Sequence, residues 1–261
     1  MLLAIDSGNT NIVFAIFDQD GGIRGEWRAS TQNHSTTDEY GAWLSQLMQS
    51  SQISPRDISD IIIATVVPAG LHDLKMLSRK YFFVEPIIVD ENVPGLNVNI
   101  KIDRPEEVGV DRIVNAKAAS EKYRGPIIVI DFGTATTFDI IDLDGYYCGG
   151  AIAPGINLSI EALHQAAAKL PRISINRPKK VIGTNTVDAM LSGVFWGYIS
   201  MVEGMVERIK NEYGDKTMRT VATGGLAPLF GAHCKAIEKI DETLTLRGLH
   251  SIFQEIKNAK N

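Results

Sequence analysis

One phrase occurs twice in this chain. Near the start it reads Leu3-Ala4-Ile5-Asp6-Ser7-Gly8-Asn9-Thr10-Asn11-Ile12-Val13. Almost halfway along it reads Ile128-Val129-Ile130-Asp131-Phe132-Gly133-Thr134-Ala135-Thr136-Thr137-Phe138. Each copy runs an apolar stretch into an aspartate, places a glycine two residues on, adds small hydroxyl or amide residues, and turns apolar again. That order spells a strand, a tight turn and a return strand. Such a turn offers backbone N–H groups and short side chains to an anion, with a carboxylate alongside for a metal ion. Two copies point to two related halves closing on one phosphate-bearing ligand.

A length of 261 residues admits one large domain or two; a typical domain holds roughly 100–150 residues. A hydrophobic share of 44% is enough for a real core. The net charge of −5 and pI near 5.6 argue against a general nucleic-acid-binding surface. Cys148 and Cys234 make neither a disulfide framework nor a paired-cysteine metal spacing, which fits a reducing, cytoplasmic compartment. The apolar run Leu2 to Ile5 is broken by Asp6 and has no basic leader, so it reads as neither signal peptide nor membrane span. His34, His72, His164, His233 and His250 are scattered without metal-ligand spacing.

Residues 2–6, 12–18 and 23–29 read as three strands. Ser35 to Glu39 reads as a helix start with hydroxyl caps and first-turn acids. The run 61–67 is a buried strand ended by Pro68, 71–82 a helix, and 86–89 a further strand. The second half repeats the opening with strands at 127–131, 136–142 and 146–153. A helix over 159–170 stops at Pro171, and the strongest helical signal covers 185–213. A short strand at 220–223, a weak helix at 226–233 and a final helix at 244–256 complete the chain. The boundary between halves falls within 103–125, dividing the chain into 1–115 and 116–261. The fold class is α/β, a ribonuclease-H-like fold used twice, an architecture that places its ligand in the cleft between its two domains.

Asp6 would repel a bare polyphosphate, so beside Gly8, Asn9, Thr10 and Asn11 it makes sense only with a divalent cation between them. The simpler reading of that segment is a hairpin with an Asx turn; the second copy weighs against it. No Gly-x-x-x-x-Gly-Lys-Ser/Thr loop exists in the sequence. Gly109-Val110-Asp111-Arg112 is either a solvated charge pair at a helix start or a working pair. In the second case Asp111 accepts a proton from an attacking hydroxyl and Arg112 grips a carboxylate with two hydrogen bonds. Gly149 to Gly155 and Thr223-Gly224-Gly225 are glycine-rich turns, serving turn chemistry or close approach to a ligand. Gly183-Thr184-Asn185-Thr186 opens the long helix, with an N-cap as its default role and anion binding as the alternative. Gly193, Gly197 and Gly204 inside that helix imply close packing against another helix, one from a second subunit included.

Taken together, these motifs resemble those of the type III pantothenate kinases, relatives of acetate and sugar kinases, Hsp70 and actin. The resemblance runs end to end through Asp6 to Asn11, Pro105 to Arg112, Asp131 to Thr137, Gly149 to Gly155, Ala167-Ala168-Lys169-Leu170-Pro171 and Ala222 to Leu226. It implies a duplicated actin-like ATPase fold and ATP-dependent phosphorylation of pantothenate to 4′-phosphopantothenate in coenzyme A synthesis. By the same match, Asp111 is the proton acceptor. Asp6, Ser7, Gly8, Asn9, Thr10, Asn11, Ile12, Val13 and Thr134 handle ATP, while Gly109, Val110, Asp111, Arg112 and Thr186 meet pantothenate. Asp131 holds a monovalent cation, K+ or NH4+, and Asp6 reaches Mg2+ through phosphate or water. The implied protein is a cytoplasmic homodimer without nucleic-acid or membrane partners. Where the family usually has a tyrosine lining the pantothenate pocket, this chain has Ile102, which keeps a different small hydroxy acid open as substrate. A nucleotide-binding regulator is the alternative from another class.

Overall fold

The computed structural model describes residues 1–31, 35–90, 93–166 and 170–259. By internal contact these residues form two compact units. One comprises Met1–Val98, Asp103–Ala118 and Leu244–Asn261; the other comprises Asn99–Ile102 and Ala119–Thr243. His34 and Ala167-Ala168-Lys169 lie outside the described residues.

The first unit opens with β1 (Leu2–Ser7), β2 (Asn11–Phe17) and β3 (Ile23–Ser30), an antiparallel meander. Helix α1 (Thr37–Ser50) follows. It is capped reciprocally: Thr36 Oγ1 accepts from the Glu39 N–H, and the Glu39 carboxylate accepts from the Thr36 N–H at 2.7 Å. Strand β4 (Asp60–Thr65) then pairs parallel with β1, and α2 (Leu71–Leu77) leads to β5 (Ile87–Ile88). The expected helix over 71–82 keeps its α form only to Leu77. It widens into a π turn over Ser78–Phe82 and stops at Phe83, which adopts a left-handed φ of 60°.

The second unit repeats the plan. Strands β6 (Ile127–Phe132), β7 (Ala135–Ile141) and β8 (Tyr147–Pro154) form the second meander. Helix α4 (Ile156–Ala166) begins three residues before the expected Ser159, because Gly155 ends β8 and its carbonyl accepts from the Ser159 N–H at 2.9 Å. Helix α5 (Thr186–Tyr213) starts at an Asn185 cap that accepts from the Asp188 N–H and ends at Gly214 with φ 82°. Strand β9 (Arg219–Thr223) pairs parallel with β6, α6 (Ala227–Gly231) follows, and β10 (Lys239–Ile240) adds an edge of two exposed residues that shows no sequence period.

The strand orders are β3-β2-β1-β4-β5 and β10-β9-β6-β7-β8. Strands β6 to β10 therefore occupy the places of β1 to β5, one for one. This is the duplicated ribonuclease-H-like arrangement expected from the sequence. In the first unit, Leu3, Ile5, Phe14 and Ile16 pack with Leu44 and Met48 of α1. In the second, Phe132 and Phe195 each stack on Phe230, at ring distances of 5.5 and 5.4 Å. Helix α5 is long and apolar enough to cross a membrane by length and composition. Its Phe195, Tyr198, Ile199, Val202 and Val206, however, form part of the second unit's core.

The sequence-based division at residue 115 falls inside α3 (Val110–Lys122). Two pieces also group differently from that division. Helix α7 (Leu244–Asn258) turns its apolar face onto β1 and β4 and so belongs to the first unit. Residues 99–102 belong to the second, where the Tyr147 N–H donates to Asn99 O at 2.9 Å and the Lys101 N–H donates to Tyr147 O at 2.8 Å.

Ile5 is fully buried in β1, one residue before Asp6. Replacing it with alanine leaves a cavity in the central strand and should lower unfolding free energy by about 2–5 kcal/mol, read from urea denaturation followed by circular dichroism.

Candidate active site

The strands that carry the repeated aspartates have one pattern of exposure. In β1 and in β6 every residue is buried except the fifth, which is half-buried: Asp6 in the first, Asp131 in the second. Buried apolar neighbours thus bring each carboxylate to the place where the chain first meets solvent.

The turns that follow differ by one residue. The Gly8 N–H donates to Asn11 O at 3.0 Å, and Asp6 pairs across with Val13. The Gly133 N–H donates to Ala135 O at 3.1 Å, and Asp131 pairs with Thr137. Neither glycine has a positive φ among the described residues. A Cβ on Gly8 would sit 3.3 Å from Asn11 O, so tightness rather than handedness favours glycine there. Asn9, Asn11, Gly133 and Thr134 are exposed, while Ser7 and Ile12 are buried and Gly8, Thr10 and Val13 half-buried. Thr31 steadies the first turn: its N–H donates to Thr10 O at 3.0 Å and its hydroxyl to Gly8 O at 2.8 Å.

Gly109 opens α3, its carbonyl accepting from the Arg112 N–H at 3.0 Å. Asp111 Oδ1 accepts from the same Arg112 N–H at 2.8 Å. A Cβ on Gly109 would lie 2.6 Å from that oxygen, so the glycine makes room for the carboxylate. Asp111 is half-buried. Burial pushes its carboxyl above the ordinary aspartate value, against the lowering effect of the Arg112 N–H bond and charge. A carboxylate so placed is a stronger base than one in water.

Two further glycines press on the second turn rather than on open space. A Cβ on Gly155 would stand 2.1 Å from Thr134 O, and one on Gly224 would stand 2.5 Å from Asp131 Oδ1 and 2.7 Å from Phe132 O. Within the glycine-rich segments, Gly155 and Gly224 thus admit the close approach of the Asp131–Thr134 turn. On the apolar stripe of α5, the Tyr198 hydroxyl donates to Pro154 O at 3.3 Å and hydrogen-bonds Thr136, tying α5 to β7 and to the end of β8. Burial raises its phenol above the ordinary value. A buried tyrosine on a helical stripe gives no separate sequence signal.

Thr186 is exposed at the first turn of α5, beside an apolar groove of about 680 Å³ lined by Ser159, Leu163, Met190 and Val194 among others. Ile102 is half-buried, its Cγ2 facing Gly149. The structure thus gathers Asp6 to Val13 and Gly109 to Arg112 in the first unit, and Ile102, Asp131, Thr134 and Thr186 in the second. Among the described residues no cluster of three or more His, Cys, Asp or Glu side chains is assembled for a metal. Any cation here would share its shell with backbone oxygens, water or a ligand's phosphates.

Two five-stranded sheets of one strand order, each led by an acidic hairpin, define the actin-like ATPase and sugar kinase fold class. Component A of (R)-2-hydroxyglutaryl-CoA dehydratase from Acidaminococcus fermentans superposes with a TM-score of 0.56 at 14% identity, covering 99% of this chain and 98% of that one. A Campylobacter jejuni protein assigned to the Baf family of transcriptional activators superposes at 0.61 with 20% identity, covering 98% and 99%. At those identities the likeness concerns the fold alone. The chain belongs to the type III pantothenate kinase family, whose sequence profile matches residues 2–208. The type III pantothenate kinase of Paramagnetospirillum magneticum is 61% identical over 254 residues, covering 97% of both chains. That of Rhodospirillum rubrum is 58% identical over 249 residues, covering 95% of this chain and 96% of the relative.

Because the Gly109 substituent would strike essentially one atom, a double-mutant cycle isolates the contact. Gly109→Ala should destabilise the wild type and do so less in an Asp111→Ala background, with a coupling of about 1 kcal/mol in urea titrations. Additive effects would remove the assigned reason for glycine at this position.

Proposed function

We propose that this chain transfers the γ-phosphoryl group of ATP to the terminal hydroxyl of pantothenate, releasing ADP and 4′-phosphopantothenate in the first step of coenzyme A synthesis. The observation that carries the reading is 61% identity to a type III pantothenate kinase across 97% of both chains. Asp111 takes the hydroxyl proton as the oxygen attacks the γ-phosphorus, and the bond to the ADP oxygen breaks on the opposite side. Arg112 holds the pantothenate carboxylate through two hydrogen bonds, which its planar guanidinium suits. Gly109 and Val110 form the rest of that strip, and Thr186 contributes a hydroxyl to pantothenate. Ile102 stands in place of the family's usual tyrosine and gives the pocket an apolar wall.

The turn from Asp6 to Val13, together with Thr134, contacts ATP through N–H, hydroxyl and amide groups. With no P-loop lysine in the chain, bound Mg2+ and a monovalent cation, K+ or NH4+, supply positive charge to the phosphates. Asp131 would hold the monovalent ion, and Asp6 would reach Mg2+ through water or phosphate. Supporting the first assignment, Asp131 is the half-buried carboxylate near the solvent end of the otherwise buried β6.

The working form is a cytoplasmic homodimer with pantothenate as its small-molecule partner and without nucleic-acid or membrane partners. Supporting the dimer, Gly193 and Gly197 are exposed on α5 where an added Cβ would meet nothing within 4 Å, and Gly193 shares an apolar groove with exposed Leu163.

A coupled assay with pantothenate, Mg-ATP and K+ or NH4+ tests the reading. Asp111→Asn should lower kcat by about 10²- to 10⁴-fold. The fold favours the neutral carboxyl at this position, so ionising it on the way to pH 7 opposes stability; Asp111→Asn should therefore melt no lower than wild type at pH 7. The wild-type kcat/KM should fall as pH drops through a midpoint above the ordinary aspartate value, because the base must be anionic. A wild-type rate in Asp111→Asn would remove Asp111 from the role of base.

A further inference from the structure

Helix α7 lies outside the residues matched by the family profile, which ends at 208. It nevertheless touches both acidic elements of the first unit. Its buried face packs against β1, the strand whose fifth residue is Asp6. Its Gly248 lies on α3 one turn beyond Asp111, where an added Cβ would stand 2.5 Å from Val114 O and 2.6 Å from Val114 Cγ1. On either side of that contact, polar bonds join the helices. Thr245 Oγ1 donates to Asn115 Oδ1 at 2.7 Å, and Asn115 is buried. Lys117 is also buried, and its ammonium reaches Glu255 Oε1 at 2.6 Å. The amide of Asn97 donates to the second oxygen of that carboxylate. A buried ammonium is tolerated only when paired, so Glu255 holds Lys117, and with it α3, against α7.

We infer that α7 is the positioning element of the active site, with Gly248 and the Lys117–Glu255 pair setting where α3 presents Asp111 and Arg112 relative to β1. The inference rests on the proposed roles of Asp111 and Arg112. Its physical basis is that two helices at backbone contact have no slack. One methyl group at Gly248 cannot be absorbed by a rotamer, because the atom it meets is a main-chain carbonyl oxygen. The ion pair acts at the next turn as a second, independent tie. A displacement of even about 1 Å at the base is enough for a large loss of rate.

The test compares Gly248→Ala, Glu255→Gln and Lys117→Met with wild type by steady-state kinetics and amide hydrogen exchange. Gly248→Ala should lower kcat by roughly 10- to 100-fold, raise KM for pantothenate and leave KM for ATP unchanged. Exchange at the Arg112 and Ile113 amides, which donate to Gly109 O, should rise while β1 amides stay protected. Glu255→Gln and Lys117→Met should show the same split, and Lys117→Arg, which keeps the charge, should lose less. A helix that merely stabilises the fold would lower apparent kcat in proportion to folded fraction and leave both KM values alone; that result overturns the inference. Should Gly248→Ala fail to fold, Glu255→Gln decides by the same criteria. If wild type itself turns over no pantothenate, the proposed function has failed; unaltered kinetics in these variants beside an active wild type fail the inference alone.

Discussion

A strand bonded along both edges and covered on both faces has only its end to offer to solvent. In this protein β1 and β6 are such strands, each antiparallel to one neighbour and parallel to another. Each delivers an aspartate at its fifth residue. The carboxylates stand where buried backbone gives way to a tight turn, and a negative charge held there is compatible with phosphate only when cations intervene. Small polar residues, Asn9, Thr10 and Asn11 in one turn and Thr134 in the other, stand beside those charges.

A second theme is the absence of side chains. Gly109, Gly155 and Gly224 each lie against an oxygen of a neighbouring segment, closer than any Cβ would allow. Their common effect is to let neighbouring segments approach more closely than a side chain would permit. Gly248 follows the same logic between α7 and α3. Asp111 shows what such placement costs: burial opposes its ionised form. A site that needs an anionic base there works against local stability, a common tension at catalytic positions.

Much of the fold is legible in the sequence because it is written in local patterns. The repeated apolar run with its aspartate and glycine marks β1, β2, β6 and β7. The hydroxyl and acid order at Thr36 and Glu39 marks the start of α1, and the Asn185 cap and Gly214 bracket α5. What is not legible depends on contacts distant in sequence. Gly248 meets Val114, and residues 99–101 bond to Tyr147, so the terminal helix and the Ile102 strip join units that a single boundary cannot describe. Strand β10 has two residues, too few for any period. The candidate site residues stand out in the sequence by type and order. Their reasons, above all the oxygen each glycine faces, exist only in three dimensions. Tyr198, sharing a hydrogen bond with Thr136, looks in sequence like one more aromatic on a buried stripe.

Titration calorimetry with a non-hydrolysable Mg-ATP analogue in potassium buffer addresses the paired acidic turns directly. One nucleotide should bind per chain, and Asp6→Asn and Asp131→Asn should each weaken that single event while both variants stay folded. Two independent nucleotide sites per chain, or an affinity unchanged by either substitution, would contradict the assignment of both carboxylates to one ligand.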